Sequence, residues 1–162
     1  MVAAGLTGVY AETIPNFEVL TLVVFGSGVL LGARDGALVG AVTMLVFSML
    51  NPYGAVHPLV TAAQVAGMVP AGLAGAALGA TGLPSAGVPL RAAVLGATGT
   101  ALTVLFDLLT NLATGLLFGQ VRVTLLGGIP FALWHAGTNA ALFATAGVPL
   151  VSVFAHYRSR LS

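Results

Sequence analysis

The sequence predicts an all-α fold, a polytopic membrane helix bundle, and three observations predict it. Hydrophobic residues make up 58% of the 162 residues and charged residues only 6%, against roughly 45–50% and about 25% in a soluble domain. Apolar runs recur at the length that a helix needs to cross about 30 Å of hydrocarbon, close to 20 residues. Short segments rich in Pro, Gly and Asn punctuate those runs. The chain therefore reads as a single membrane domain, 1–162, with five full spans plus a shortened first helix and no separate soluble domain.

Composition also removes several function classes. The formal net charge of +1 arises from five arginines and four acids, too little for a nucleic-acid footprint, so no nucleic acid is expected as a partner. The absence of cysteine excludes disulfides, thiolate catalysis and cysteine metal sites. His57, His135 and His156 show no ligand spacing, so no metal is expected. There is no Walker A sequence and no GxGxxG after a strand, so no nucleotide or other cofactor is expected to bind this chain.

Taken in order, MVAAGLTGVY (1–10) is too short to cross a bilayer and reads as the remnant of a first helix. It carries no basic residue and no signal-peptide pattern, and it reads as mature sequence. AETIPNFE (11–18) holds two acids and a proline that keeps Ile14 extended, and is expected as a surface loop. Two shortened helices follow, 19–32 and 36–50, joined by a tight turn at GARDG. Gly28, Gly32, Gly36 and Gly40 recur every four residues, a spacing that lets membrane helices approach closely. NPYGAVHP (51–58) reads as a loop.

The span 59–80 places Thr61 and Gln64 on one face and Gly67, Ala71 and Gly75 at four-residue spacing, with Pro70 as a possible kink. After the loop TGLPSAGVP comes the long helix 89–118. The last span, 123–154, exceeds a membrane crossing and contains Pro130 and Pro149, so a kink or protruding end is expected. A cytoplasmic C-terminus puts Arg34, Arg91, Arg158 and Arg160 inside and leaves only Arg122 outside, which satisfies the positive-inside rule. The expected localisation is thus a multi-pass cell-membrane protein.

The long helix carries the main candidate for function. Asp107 is its only formal charge after Arg91, and Thr100, Thr103, Thr110, Asn111 and Thr114 share its face. A carboxylate at membrane depth is expensive and counts by default as a functional-site candidate. Asp107 lies roughly 16 Å below the outer end of its helix, near mid-membrane. On the last span His135, Thr138 and Asn139 stand at i, i+3 and i+4. Asp107, Asn111 and His135 are the predicted substrate-binding residues, with Asn139 and Gln64 as second-rank contacts in an outward-opening pocket. The bland alternative is that these groups only hydrogen-bond across the bundle, and Thr100 and Thr103 are expected to bond their own helix.

Read together, IPNFE, GVLLGARDGALVGAV, NPYG, TAAQVAGMVPAGLAGAALG, FDLLTN and GIPFALWHAGTNAALF resemble the substrate-binding S components of energy-coupling factor transporters. The resemblance covers about residues 10 to 158 through the order and spacing of these segments. It implies a compact membrane bundle that captures a vitamin or related micronutrient from outside and has no enzymatic activity. It further implies docking on a transmembrane coupling subunit and two ATPase subunits. The family's first helix often carries a small-residue docking face, of which Ala4 and Gly8 remain here.

Three other classes compete. A stand-alone secondary carrier would use Asp107 as its proton-coupling group. A structural membrane subunit would bind no small molecule. Gly26-Ser27-Gly28 with His135 and Asn139 is also similar to rhomboid intramembrane proteases, but Phe25 stands where their GxSG pattern needs glycine, and HxxxN follows the serine here instead of preceding it.

Overall fold

Every regular element in the computed structural model is helical among the described residues, which are 1–10, 18–50 and 56–160. Seven helices follow one another: α1 (Val2–Tyr10), α2 (Leu20–Leu31), α3 (Ala33–Met49), α4 (Pro58–Gly79), α5 (Val88–Phe118), α6 (Val121–Thr145) and α7 (Gly147–Arg158), with one 3-10 turn at Leu83–Ser85. Two of them, α4 and α5, are long and apolar enough to cross a membrane, and the bent pair α6–α7 makes a third candidate. The helical bundle is as the composition predicts; α2 and α3 are individually shorter than a full crossing.

Although it has only 12 residues, α2 is the axis of the bundle. Nine of its residues are buried, from Leu20 to Val29, because α1, α3, α4 and α7 all pack around it. A helix surrounded on every side has no polar face to conserve, which is why its sequence, LTLVVFGSGVLL, carries no charged side chain and only two small hydroxyls, Thr21 and Ser27. Phe25 of α2 meets Phe143 of α6 edge to face, ring centroids 5.2 Å apart, a geometry that favours contact of a ring edge with a π face.

The glycine spacing seen in the sequence is used where α2, α3 and α4 touch. A Cβ on Gly28 would lie 1.9 Å from the Gly72 carbonyl oxygen, one on Gly75 1.9 Å from that of Phe25, and one on Gly72 2.3 Å from the Gly36 backbone. These three helices meet backbone to backbone. Gly32 supplies the turn between α2 and α3 with φ +92°, a conformation that costs residues with a Cβ but not glycine. The turn is a single residue, tighter than expected, so Arg34 and Asp35 begin α3 instead of lying in a loop.

Glycine also closes the α5–α6 hairpin. Gly119 takes φ +67°, its N–H reaches Leu116 O at 3.3 Å, and the Gln120 N–H reaches Gly115 O at 2.8 Å, the paired bonds of a Schellman cap. The two helices then run antiparallel over most of their length. The predicted last span is two helices, bent by 53° at Ala146. Pro149 has no N–H to give to the Thr145 carbonyl one turn back, which places the break there. Pro70 and Pro130 stay inside unbroken helices.

Two expected loops fall largely outside the described residues: 11–17 of AETIPNFE and 51–55 of NPYGAVHP. His57 caps α4, its Nδ1 accepting the Leu59 N–H at 3.2 Å, and Pro58 opens the helix, the usual place for a residue without an N–H. In α1, Gly5 is the residue packed against Leu20 and Thr43. Ala4 is exposed, and Gly8 lies on the same short helix.

At one end of the bundle Arg91 of α5 donates to Ser152 Oγ of α7 and lies 3.4 Å from Pro84 O, while Arg158 reaches Val29 O. Arg34 begins α3 at that same end, and Arg122 begins α6 at the opposite one.

Candidate functional site

Antiparallel pairing of α5 and α6 brings Asp107 opposite His135. The imidazole Nδ1 lies 3.0 and 3.2 Å from the two Asp107 carboxylate oxygens. An ionised carboxylate only accepts, so Nδ1 carries the proton in this contact. One turn further along α6, Asn139 is buried at 1% exposure. Both predicted partners of Asp107 on the last span are therefore drawn inward.

Glu18 completes the cluster, and its place corrects the surface-loop expectation for AETIPNFE at that residue. Its Oε1 lies 3.6 Å from His135 Nε2 and accepts from Asn139 Nδ2 at 3.2 Å. Its other contacts are local: the Thr21 N–H donates to Oε2 at 2.9 Å and the Thr21 hydroxyl to Oε1 at 2.7 Å. Glu18 thus satisfies a free N–H in the first turn of α2 and lies at the positive end of that helix. Because it does so at the level of His135 and Asn139, α2 starts inside the bundle, which accounts for its short length.

His135 consequently lies between two carboxylates, one at each ring nitrogen. The acids sit on opposite sides of the imidazole and do not converge on a common point. Among the described residues no group of three His, Asp or Glu side chains is arranged to hold a metal ion.

Outside this cluster a cleft of about 260 Å³ opens between α5 and α6, lined by Asp107, Thr110, Asn111, Gly128, Phe131 and Ala132. Gly128 makes room for Asn111: a Cβ there would lie 2.6 Å from Asn111 Nδ2. Phe131 forms a largely exposed apolar rim. Asp107 is the residue shared by the buried cluster and the open cleft.

The threonines of the Asp107 face divide into two kinds. Thr100, Thr110 and Thr114 donate to carbonyls of their own helix, at 3.0, 2.9 and 2.8 Å, the usual fate of a mid-helix hydroxyl. Thr103 departs from that expectation: its Oγ1 is buried without a hydrogen-bond partner, as is Asn139 Oδ1. Buried polar atoms left so are uncommon and call for an explanation.

Gln64 does not join this group. Its Oε1 accepts from Ser48 Oγ at 2.7 Å, tying α4 to α3. Ser27, the residue of the rhomboid comparison, is fully buried and donates to Val24 O at 2.6 Å. Glu18 is the member of the cluster that the residue patterns missed. The available signal was its position, three residues before Thr21 at the head of an apolar run, where an acid can cap a helix.

Comparison with family models, with characterised proteins and with solved structures gives no match in any of the three, so the functional reading rests on the geometry of the site itself.

Proposed function

We propose that this chain is the membrane-embedded substrate-binding subunit of an uptake system of the energy-coupling factor type, crossing the membrane in five passages with a short first helix. It captures a vitamin or related small solute from outside. The observation that carries the reading is the Glu18–His135–Asp107 line, with Asn139, which reaches the α5–α6 cleft at Asp107. Two acids and an imidazole gathered among apolar helices are costly to bury, and a site for a polar solute explains why one of them, Asp107, opens on a cleft.

The surroundings agree with membrane residence. Large apolar side chains, among them Leu116, Phe118, Phe131, Leu133 and Trp134, are exposed on α5 and α6, as expected of a lipid-facing surface but unusual for a soluble one. Arginines concentrated at one bundle end support a cytoplasmic C-terminus. Without a nucleotide motif, energy would come from a coupling subunit and two ATPase subunits, with α1 and its Ala4 and Gly8 as the docking face.

The test is direct. Mass spectrometry of the protein purified in detergent is expected to find a stoichiometric small solute, and Asp107→Ala to weaken its binding about a hundredfold, as loss of a buried charged contact does. Unchanged affinity in Asp107→Ala would remove Asp107 from the site.

A second reading is favoured by the imidazole held between two carboxylates, an arrangement suited to passing protons. It makes the chain a stand-alone proton-coupled carrier. Uptake that persists without ATPase partners and stops when the proton gradient is dissipated would select it.

A further inference from the structure

The charges of the cluster narrow what the cleft can hold. Glu18 and Asp107 bring two carboxylates to one imidazole, leaving a net charge of −1 when His135 is protonated and −2 when it is neutral. No described arginine offsets this. Arg91 and Arg122 lie near the starts of α5 and α6, roughly 20 Å or more along those helices from Asp107 and His135. Arg158 binds Val29 O at the other end of α2 from Glu18. An unbalanced charge away from water is strongly disfavoured unless something pairs with it.

The two acids are not equally engaged. Glu18 accepts from the Thr21 N–H, the Thr21 hydroxyl and Asn139 Nδ2. Asp107 accepts a hydrogen bond from His135 Nδ1–H and turns toward the cleft. The lining points the same way: beside Asp107 stand Thr110, Asn111, Gly128, Phe131 and Ala132, with no cationic side chain among them. Behind Asp107 and outside the cleft lining, Thr103 Oγ1, His135 Nε2 and Asn139 Oδ1 are buried without hydrogen-bond partners. The Asn139 amide has a fixed sense, because only its nitrogen can donate to Glu18. Its Oδ1 is therefore a buried acceptor without a donor.

We propose, on the basis of the solute-capture reading above, that the cleft takes a small monocationic ligand bearing N–H donors, its charged nitrogen against Asp107 and its compact apolar body against Phe131. A protonated amine on a single aromatic ring has the right scale. The cleft volume lies just below the usual lower bound of about 300 Å³ for ligand pockets, and an aromatic rim can attract a cation.

The test uses three probes of nearly equal size, benzylammonium, benzyl alcohol and benzoate, titrated at neutral pH into the full chain in detergent micelles and followed by ligand-observed NMR. Benzylammonium is expected to bind saturably and at least about tenfold more tightly than benzyl alcohol, with benzoate weakest. Asp107→Asn, which keeps the shape and removes the charge, is expected to abolish that preference.

Equal or tighter binding of benzyl alcohol or benzoate to the unaltered protein, or no saturable binding of benzylammonium, overturns the proposal even if the variant does not fold. Recovery of a stoichiometric neutral or anionic solute with the purified protein overturns the charge class and leaves solute capture standing. Failure of all three probes, together with recovery of no solute, overturns both.

Discussion

Gly128 and Gly137 lie on the same helix and respond to the same substitution in opposite ways. A Cβ at Gly128 would meet the end of the Asn111 side chain, which can rotate aside, so Gly128→Ala is expected to cost little stability. It displaces Asn111 from the cleft, and ligand affinity should fall about tenfold in a titration while the thermal melting point stays within about 3 °C. At Gly137 a Cβ meets nothing within 4 Å. Gly137→Ala should leave affinity unchanged and stabilise α6 by about 0.5–1 kcal/mol through its helix preference, seen as a higher melting point.

The same scale shows where residue patterns stop. Asp107, Asn111, His135 and Asn139 were legible because each breaks an apolar helical run, and a polar residue there needs a reason. Glu18 was not, since a segment with two acids and a proline has the ordinary look of a surface loop. Its role appears only when a residue 121 positions away in sequence, Asn139, is brought against it. Gln64 was misleading for the complementary reason: a polar side chain within a span can face a different neighbour, here Ser48.

Among the elements, the contact of α2, α3 and α4 is the least tolerant of change. Gly28→Ala would drive a methyl to 1.9 Å from the Gly72 carbonyl oxygen, and two helix backbones cannot rotate aside as Asn111 can. The expected cost is about 3 kcal/mol or more, or outright misassembly, measured as loss of the folded fraction in detergent. Helix positions were readable from apolar runs and from Gly and Pro, and the four-residue glycine spacing marked the right surfaces. The single-residue turn at Gly32 and the break at Ala146 were not readable in detail, because each depends on how the next helix packs. Pro130 and Pro149 look alike in sequence, yet only the second lies beside a break.

For the molecule as a whole, the proposed orientation has a clean test because the chain has no cysteine. A membrane-impermeant maleimide applied to intact cells should label Gln120→Cys, at the α5–α6 turn, and leave Ser159→Cys unlabelled until the cells are opened. The reverse pattern would invert the topology and place the mouth of the cleft on the other side.

The same glycines that set the bundle's shape supply part of its cohesion. An oxygen 1.9 Å from where a Cβ would stand lies on the side of the Cα that carries a hydrogen in glycine, so Gly28 turns a hydrogen toward Gly72 O and Gly75 returns one toward Phe25 O. The carbon-to-oxygen separation is then at most about 3.4 Å, within the range of a Cα–H···O=C bond worth roughly 0.5–1 kcal/mol. Helices surrounded by lipid gain little from hiding apolar surface from one another. A reciprocal pair of such weak bonds gives α2 and α4 a directional attachment that side chains could not provide, because each bond exists only where there is no side chain.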